Sequence, residues 1–300
     1  MKFNLLMPMR AVKHYVEWIG DGHLADVGRL AEEAGFHGVA ATDHPFPNDE
    51  WLAAGGHHAF DPFVALSFMA AATRHVRLLT FVLVAGYRNP YLAAKALASL
   101  DRLSGGRVTA GMAAGYLRSE FDVLGAEWDR RGARFDDAID AMRVAWSGET
   151  VDVDGEFPAH GHTQLPGPVQ PGGPPIWIGG NSAAARRRAV ERGDGWMPIG
   201  QPAGMSKVTG TPALETIEQL RGLVSDVQQR RADQGRPPLD ICFAPFGERG
   251  DPLAWARRIR RDLPAYEEAG VTWLSIEPHA HSLSELRQAV GGFADETFTG

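Results

Sequence analysis

Apolar residues follow two alternating spacings along this chain. Short, largely apolar runs such as residues 76–84 are separated by longer segments in which apolar residues recur every three or four positions. In residues 89–104, for example, Leu92, Ala96 and Leu100 lie four positions apart and would share one face of a helix. The short runs are typical of buried strands and the longer segments of amphipathic helices, so the pattern predicts strands and helices in alternation.

The alternation gives eight strand–helix units. The predicted strands are residues 3–8, 38–42, 76–84, 107–113, 175–178, 195–198, 239–245 and 272–277. The predicted helices are residues 23–34, 60–72, 89–104, 117–124, 134–146, 212–234, 252–269 and 283–293, and one more that is capped by Asn181 or Ser182. Eight units in 300 residues, without a low-complexity spacer, predict an α/β fold of the (βα)8 TIM barrel type in a single domain over residues 1–300.

An open, doubly wound sheet is the competing fold. That fold would place a glycine fingerprint directly after the first strand, where this chain has Pro8, Met9 and Arg10. The closed barrel is therefore favoured.

Residues 147–174 interrupt the alternation before strand five. The segment is rich in glycine and proline. Long connections without regular structure are often lids or binding loops. We predict an irregular insertion loop that covers a pocket.

Composition narrows the classes of function. The net charge is −7, with 37 acidic and 30 basic residues and no basic tract, which makes nucleic acid an unexpected partner. A single cysteine, Cys242, cannot form an internal disulfide and fits a reducing compartment. No amino-terminal signal is evident, and no apolar run approaches the roughly 20 residues that span a bilayer. We expect a cytoplasmic protein that acts on a small molecule and binds neither nucleic acid nor membrane.

Polar side chains follow two of the predicted strands. In a βα barrel the active site is built from loops at the carboxyl ends of the strands. Asp43 and His44 occupy such a position after strand two, and Tyr116 does after strand four. A histidine there can act as acid or base near neutral pH, but the same pair could equally cap a loop. The residues alone leave both interpretations open.

A glycine-rich turn at residues 179–182 follows strand five and opens a helix. Unpaired backbone N–H groups and the helix dipole favour an anion at such a place, so the turn could bind phosphate. An ordinary turn with a serine cap explains it equally well. Arg186, Arg187 and Arg188 follow on the helix, where their spacing prevents all three from facing one phosphate, and we expect most of them to be solvated.

Histidines suggest a metal site only weakly. His57, His58, His160 and His162 resemble fragments of a ligand set, but no cysteine pair or acidic cluster completes one. No Gly-X-Ser-X-Gly turn follows a strand, which disfavours serine hydrolysis. We therefore expect no catalytic metal. Aromatic and sulfur side chains near the strand ends could instead line a pocket for a planar cofactor that supplies the chemistry.

Several ordered motifs resemble the luciferase-like monooxygenase family. The motifs are Thr42-Asp43-His44, Asn89-Pro90, residues 100–108 (LDRLSGGRV), 111–115, 120–125 and 175–180, and Asp194-Gly195-Trp196. Members are flavin- or deazaflavin-dependent (βα)8 barrels. The run 104–107 with Glu120 and Gly125 is most similar to the branch that uses coenzyme F-420.

The resemblance implies roles for individual residues. His44 and Tyr116 are the implied catalytic residues. The implied cofactor-binding residues are Asp43, Thr80, Phe81, Val82, Ala114, Gly115, Ser119, Gly179, Gly180, Asn181 and Ser182. In the deazaflavin branch, the bulge in strand three often holds a cis peptide that does not involve proline, which here would join Phe81 and Val82.

Two departures qualify the resemblance. Related deazaflavin sugar-phosphate dehydrogenases place a glutamate where this chain has Tyr116, and a tryptophan where it has Asn48. The resemblance therefore implies F-420-dependent hydride transfer with a small organic substrate, but sugar-phosphate oxidation is not expected. The alternative is an FMN-dependent monooxygenase that uses reduced flavin and O2. A metal-dependent barrel hydrolase and a non-catalytic cofactor-binding protein are less favoured hypotheses.

Family members are often dimers through the second and third helices. A homodimer is therefore expected here. Leu66, Phe68, Met69 and Leu97 would either form such a face or belong to the core.

Overall fold

The predicted (βα)8 barrel is confirmed. The computed structural model describes residues 1–8, 23–204, 206, 210–246 and 251–298. Its strands are β1 (Lys2–Leu6), β2 (Gly38–Ala41), β3 (Arg77–Thr80), β4 (Leu83–Val84), β5 (Val108–Ala113), β6 (Val151–Val153), β7 (Ala159–His162), β8 (Ile176–Gly179), β9 (Gly195–Met197), β10 (Asp240–Phe243) and β11 (Trp273–Ile276). Its α-helices are α1 (His23–Glu33), α2 (Asp49–Ala53), α3 (Pro62–Ala72), α4 (Pro90–Ser104), α5 (Arg118–Val123), α6 (Arg131–Trp146), α7 (Ala183–Arg192), α8 (Ile217–Asp233), α9 (Pro252–Glu268) and α10 (Leu283–Phe298).

All neighbouring strands of the barrel run parallel. The order is β3-β2-β1-β11-β10-β9-β8-β5-β4, and a further pairing of β3 with β5 closes the ring. β3 and β4 together form one barrel strand, since both pair with β5, through Leu78 with Val108 and through Leu83 with Met112. Closure leaves the carboxyl ends of all these strands at one rim, which is where a site is expected.

Side chains fill the inside of the barrel. The interior cluster consists of Leu6, Ala40, Leu79, Trp177, Met197, Cys242 and Trp273, with Phe81 and Val82 packed against it. Their chain neighbours, such as Leu5, Val39 and Leu78, belong to the larger cluster shared with the helices. This alternation is the two-residue period of a strand that is buried on both faces. Ligand space is therefore confined to the rim.

Local sequence explains where the helix of the strongest motif begins and ends. The side chain of Asn89 accepts a hydrogen bond from the Tyr91 amide, and Pro90 occupies the first turn of α4. Gly105 ends the helix with a positive φ of 74°, at the boundary predicted for residues 89–104. α7 begins after Ser182, which caps it through the Ala185 amide, rather than after Asn181.

Some predicted boundaries were wrong. The single strand predicted for residues 76–84 is interrupted between Thr80 and Leu83, where the Phe81–Val82 peptide is cis, as the resemblance implied. The helix predicted from residue 212 begins at Ile217, because Thr216 and Gln219 form a capping box there. The five-residue helix α2 was missed.

The insertion at residues 147–174 is more regular than predicted. β6 and β7 form an antiparallel hairpin within it. Asp101 accepts hydrogen bonds from the amides of Val169 and Gln170, and the Gln170 side chain donates to the carbonyl of Val108, which begins β5. These contacts lie at the amino-terminal end of the barrel, opposite the rim.

The hairpin end of the insertion contacts the first turn of α4. The Tyr91 hydroxyl donates to the carbonyl of Phe157 at 2.7 Å. The insertion thus packs along the flank of the barrel. Its length suggested a loop that covers the pocket, and these contacts do not support that prediction.

Three of the four residues considered for a dimer face are core residues. Leu66, Met69 and Leu97 are fully buried, whereas Phe68 is 54% exposed. The homodimer stays a prediction. Within the described ranges, no helix combines the length and apolar character that crossing a membrane requires.

Gly111→Ala is expected to destabilise the barrel. An added Cβ would lie 2.1 Å from the Thr80 carbonyl oxygen and 2.8 Å from the Met197 sulfur, and such overpacking costs about 1 to 3 kcal/mol. Gly222→Ala is the matched control, because Gly222 is exposed in α8 with open space at its Cβ position. The control should gain up to about 1 kcal/mol. Chemical denaturation measures both, and equal effects would contradict the packing at Gly111.

Candidate active site

The carboxylate of Asp43, at the end of β2, forms hydrogen bonds that hold the rim of the barrel together. Its two carboxylate oxygens accept from the Arg88 guanidinium at 2.6 and 2.9 Å, and one also accepts from the Val84 amide at 3.0 Å. The Asp43 side chain is almost fully buried. Arg88 also pairs with Asp61, the cap of α3. Asp43 thus fixes β4 and the following turn, and its carboxylate is not free to face a cofactor ring.

His44 is held by a second buried carboxylate. Nδ1 of His44 lies 3.0 Å from Oε2 of Glu120, a residue of α5 that is 0% exposed. The hydroxyl of Tyr87 donates to the same oxygen at 2.8 Å, and the Phe46 amide donates to Oε1 at 3.1 Å. Glu120 stands in the sequence as one position of the motif 120–125. Its partnership with His44 joins residues 76 positions apart, which no local pattern reveals.

Aromatic rings surround the His44 imidazole. The Trp51 ring lies 4.5 Å from it between centroids, and the His57 ring meets it edge-on at 4.9 Å. The resemblance placed a tryptophan at the position of Asn48, and here Asn48 instead caps α2, the helix that carries Trp51. The indole beside His44 is therefore that of Trp51, which follows Asn48 in α2.

Tyr116 lies at the open side of His44. Its hydroxyl is 3.4 Å from His44 Nε2, and the residue is 36% exposed. The structure thus brings the two residues implied to be catalytic into contact. His44 is the inner member of the pair and Tyr116 the outer one.

Burial and hydrogen bonding shift the acidity of this cluster. Burial alone would raise the pKa of the Glu120 carboxyl, but the hydrogen bonds from His44, Tyr87 and the Phe46 amide outweigh it and lower that pKa. Burial, together with the nearby Glu120 carboxylate, raises the pKa of Tyr87 strongly and that of Tyr116 to about 12. Glu120 is therefore an anion, and both phenols keep their protons, across the physiological range.

Two buried hydroxyl groups at the carboxyl end of the barrel have no hydrogen-bond partner among the described residues. They belong to Thr42, at the end of β2, and Ser119, in α5. An unpaired buried hydroxyl costs free energy unless a ligand satisfies it, so these atoms are natural cofactor contacts. Ser119 was predicted as a cofactor residue, whereas Thr42 was noted only within a motif.

The other residues of the expected cofactor wall lie where β3, β4 and β5 end. Thr80 is fully buried and its hydroxyl donates to the Gly111 carbonyl, so it supports the wall from inside. Phe81, Val82 and Ala114 are partly exposed. Gly115 has φ +85°, and a Cβ there would lie 2.7 Å from both Phe121 and Val84. Phe81, Val82, Ala114 and Gly115 thus form an apolar surface at the rim.

The glycine-rich turn is only partly available to an anion. The Gly180 amide donates to the carbonyl of Met197 at 3.1 Å, which ends β9. Asn181 is buried, and its side-chain amide bonds the backbone of Ile199 and Pro212. The expectation of unpaired amides is therefore wrong at Gly180. Gly179 is the last residue of β8, and the Ser182 side chain is used as the cap of α7.

The three arginines of α7 differ from the expectation of mostly solvated side chains. Arg188 is buried, and it shares Asp136 of α6 with Arg187. Arg186 donates to the carbonyl of Asn181 at 2.6 Å, and its buried Nε has no partner within the described part of the chain. Arg186 and the first free amides of α7 are thus the donors that remain for a phosphate at this rim.

The histidines considered for metal binding do not assemble a ligand set in the part of the chain that the structure describes. There, no three His, Cys, Asp or Glu side chains lie close enough to hold an ion. His160 instead pairs with Asp152 across the insertion hairpin at 2.6 Å.

Arg88→Ala is expected to destabilise the protein by about 3 to 5 kcal/mol, because it leaves the buried charge of Asp43 unpaired. Arg257→Ala, which breaks an exposed pair with Glu296, is the control and should cost less than about 1 kcal/mol. Urea denaturation compares the two variants. Adding Asp43→Asn to Arg88→Ala should recover part of the loss, and no recovery would contradict the assigned role of Asp43.

Tyr116 is expected to keep its proton well above pH 10, because its pKa is raised to about 12, against about 10 for an unperturbed phenol. Tyrosinate absorbance of wild type and Tyr116→Phe should therefore coincide up to about pH 11 while the protein remains folded by circular dichroism. In denaturant the two should differ from pH 10 upward. A difference near pH 10 in the folded proteins would contradict the burial of this phenol.

Comparison with known proteins agrees with the fold. An F-420-dependent glucose-6-phosphate dehydrogenase of Kineococcus radiotolerans is 30% identical over 309 residues, which covers 96% of this chain and 88% of that protein. An uncharacterised protein of Mycobacterium tuberculosis is 31% identical over 229 residues, or 72% of this chain and 74% of that one.

A solved structure has the same overall fold. The monooxygenase RslO1 of Streptomyces bottropensis superposes with a TM-score of 0.77 at 22% identity, covering 100% of this chain and 99% of that one. The model of the family described as luciferase-like monooxygenase matches residues 1–247. With its closed barrel and this match over most of its length, the chain belongs to the luciferase-like monooxygenase family of oxidoreductases.

Proposed function

We propose that this protein is an oxidoreductase that uses coenzyme F-420 to transfer a hydride to or from a small organic substrate. The observation that carries the proposal is the His44–Tyr116 pair at the barrel rim, a proton-handling pair beside buried hydroxyls that lack partners. Such a pair can move a proton but no electrons, so a bound cofactor must supply the redox chemistry. The relative from Kineococcus radiotolerans, which carries F-420 dependence in its name, favours that coenzyme.

The rim offers contacts that suit a flat ring with a phosphate tail. The apolar surface at Phe81, Val82 and Gly115 would support the ring, and the hydroxyls of Thr42 and Ser119 would form hydrogen bonds with its polar edge. Arg186 and the amides that open α7 would hold the phosphate. When bound, the deazaflavin supplies a ring carbon that accepts or donates a hydride.

The residues of this chain would handle the substrate proton. As a carbonyl substrate gains a hydride, its oxygen takes the proton of the Tyr116 hydroxyl. His44 in its doubly protonated form then returns a proton from Nε2 to the phenolate and becomes neutral. In the direction of oxidation the same path removes the proton of an alcohol. A phenol with a pKa of about 12 is a suitable donor to a strongly basic alkoxide.

The substrate of the dehydrogenase relative is not carried over. Tyr116 stands where related sugar-phosphate dehydrogenases have a glutamate, and the indole near His44 comes from Trp51 in place of position 48. We therefore propose a small carbonyl or alcohol as the class of substrate.

Titration of the purified chain with F-420 and, separately, with FMN tests the proposal. We expect saturable binding of F-420, followed by the fluorescence of the cofactor. Thr42→Val and Ser119→Ala should each weaken that binding by about tenfold, because each removes one hydrogen bond. Ser99→Ala is the control, since its hydroxyl bonds only the Lys95 carbonyl on the outside of α4.

The outcomes separate the candidate functions. Binding of FMN without F-420, together with O2 consumption by the reduced flavin, would replace the proposal by the monooxygenase alternative. Binding of neither cofactor would overturn both. F-420 binding that is insensitive to Thr42→Val and Ser119→Ala would reject the proposed contacts at the rim.

A further inference from the structure

Glu120 is a fully buried carboxylate that accepts hydrogen bonds from two separate segments. These are the loop after β2, through His44 Nδ1 and the Phe46 amide, and the turn before α4, through the Tyr87 hydroxyl. Glu120 itself lies on α5. Within the described ranges, His44 is the one side chain able to carry positive charge that pairs with Glu120. A buried anion is costly, and within the described ranges this one has a histidine as its possible counter-ion.

The geometry determines which nitrogen of His44 carries the proton. An ionised carboxylate can only accept a hydrogen bond, so the 3.0 Å contact requires a proton on Nδ1. Nε2 is then left to face the Tyr116 hydroxyl at 3.4 Å. When the His44 ring is neutral, Nε2 can accept a proton, and when the ring is charged, Nε2 can donate one. Proton exchange with Tyr116 can therefore run in either direction, as the reaction requires.

The surroundings keep the ring in this orientation. Trp51 covers one side of the imidazole and His57 meets it edge-on. The titratable groups that face His44 are Glu120, Tyr116 and His57, while Tyr87 faces the carboxylate behind it. The carboxylate of the preceding residue, Asp43, is engaged by Arg88 and the Val84 amide. A positive charge that forms on His44 is therefore balanced by Glu120.

We propose that Glu120 is a positioning residue of the active site: it holds the proton of His44 on Nδ1 and so presents Nε2 to Tyr116 for proton exchange. Tyr87 and the Phe46 amide fix the carboxylate in turn. The catalytic consequence rests on the proposed function, but the tautomer of His44 does not, since it is a property of the protein without cofactor.

Long-range proton–nitrogen NMR of the purified, cofactor-free protein tests the inference. His44→Gln identifies the His44 signals among the 11 histidines. In wild type we expect the tautomer protonated on Nδ1 to exceed the other by about tenfold or more, because its hydrogen bond has a charged acceptor. A wild-type His44 protonated mainly on Nε2 when neutral would overturn the proposal without any variant.

Two variants separate positioning from packing. In Glu120→Gln one oxygen becomes an NH2 group, which cannot accept from both His44 and the Phe46 amide, so the excess of the Nδ1 tautomer should fall by about tenfold. Tyr87→Phe removes a donor to the same oxygen but keeps the carboxylate, so the tautomer should be unchanged. An unchanged tautomer in Glu120→Gln, or the same shift in both variants, would reject the role assigned to Glu120.

Turnover adds a second readout. If the chain uses F-420, Glu120→Gln should lower kcat by roughly 10- to 100-fold with cofactor affinity unchanged. This is less than the roughly 100- to 10,000-fold that a general acid or base contributes, because the variant misorients His44 without removing it. A full kcat in Glu120→Gln would contradict the proposal. Should no cofactor bind, the proposed function fails, and the NMR result still decides the role of Glu120.

Discussion

The site depends on one constraint, which is that the barrel is closed and its interior is full. Seven buried side chains from seven different strands occupy the interior, and Phe81 and Val82 lie above them. A ligand therefore has no place inside the cylinder. Only the rim at the carboxyl ends of the strands remains, and the candidate site is built from the loops and helices that follow the strands there.

Two buried carboxylates have different roles at this rim. Asp43 binds Arg88 and the Val84 amide, and so fixes the backbone next to the expected cofactor wall. Glu120 binds His44, and so fixes the side chain next to the expected substrate. Asp43, the first of these carboxylates, pairs with the guanidinium of Arg88, and its role is structural. Glu120, among the described residues, pairs with an imidazole whose second nitrogen faces the Tyr116 hydroxyl, and that difference is what makes the second pair chemically useful.

Most of the fold was predictable because it follows from local patterns. The apolar runs, the helical spacing of Leu92, Ala96 and Leu100, and the glycine cap at Gly105 specify strands, helices and their ends without reference to distant residues. The hairpin in residues 147–174 was missed, since glycine and proline obscure its strands and its anchor, Asp101, lies far away along the chain.

The site was predictable only in part, because its contacts are long-range. His44 and Tyr116 stood out as polar residues at strand ends, but Glu120 appeared only as one position of a motif, and Arg88 was not singled out. Gly180 and Asn181 looked free because their partners, Met197 and Ile199, belong to a later strand and its loop. Motif positions thus located the rim, and only the assembled barrel showed which polar atoms there remain available.

The central claim is that a flat redox cofactor lies at this rim beside His44 and Tyr116. A crystal structure of the full chain grown with saturating F-420 tests it most directly. The account predicts the deazaflavin ring against Phe81–Val82, with its phosphate near Arg186 and its reactive carbon open to the side where Tyr116 lies. A cofactor bound elsewhere, or a rim without cofactor under saturating conditions, would contradict it.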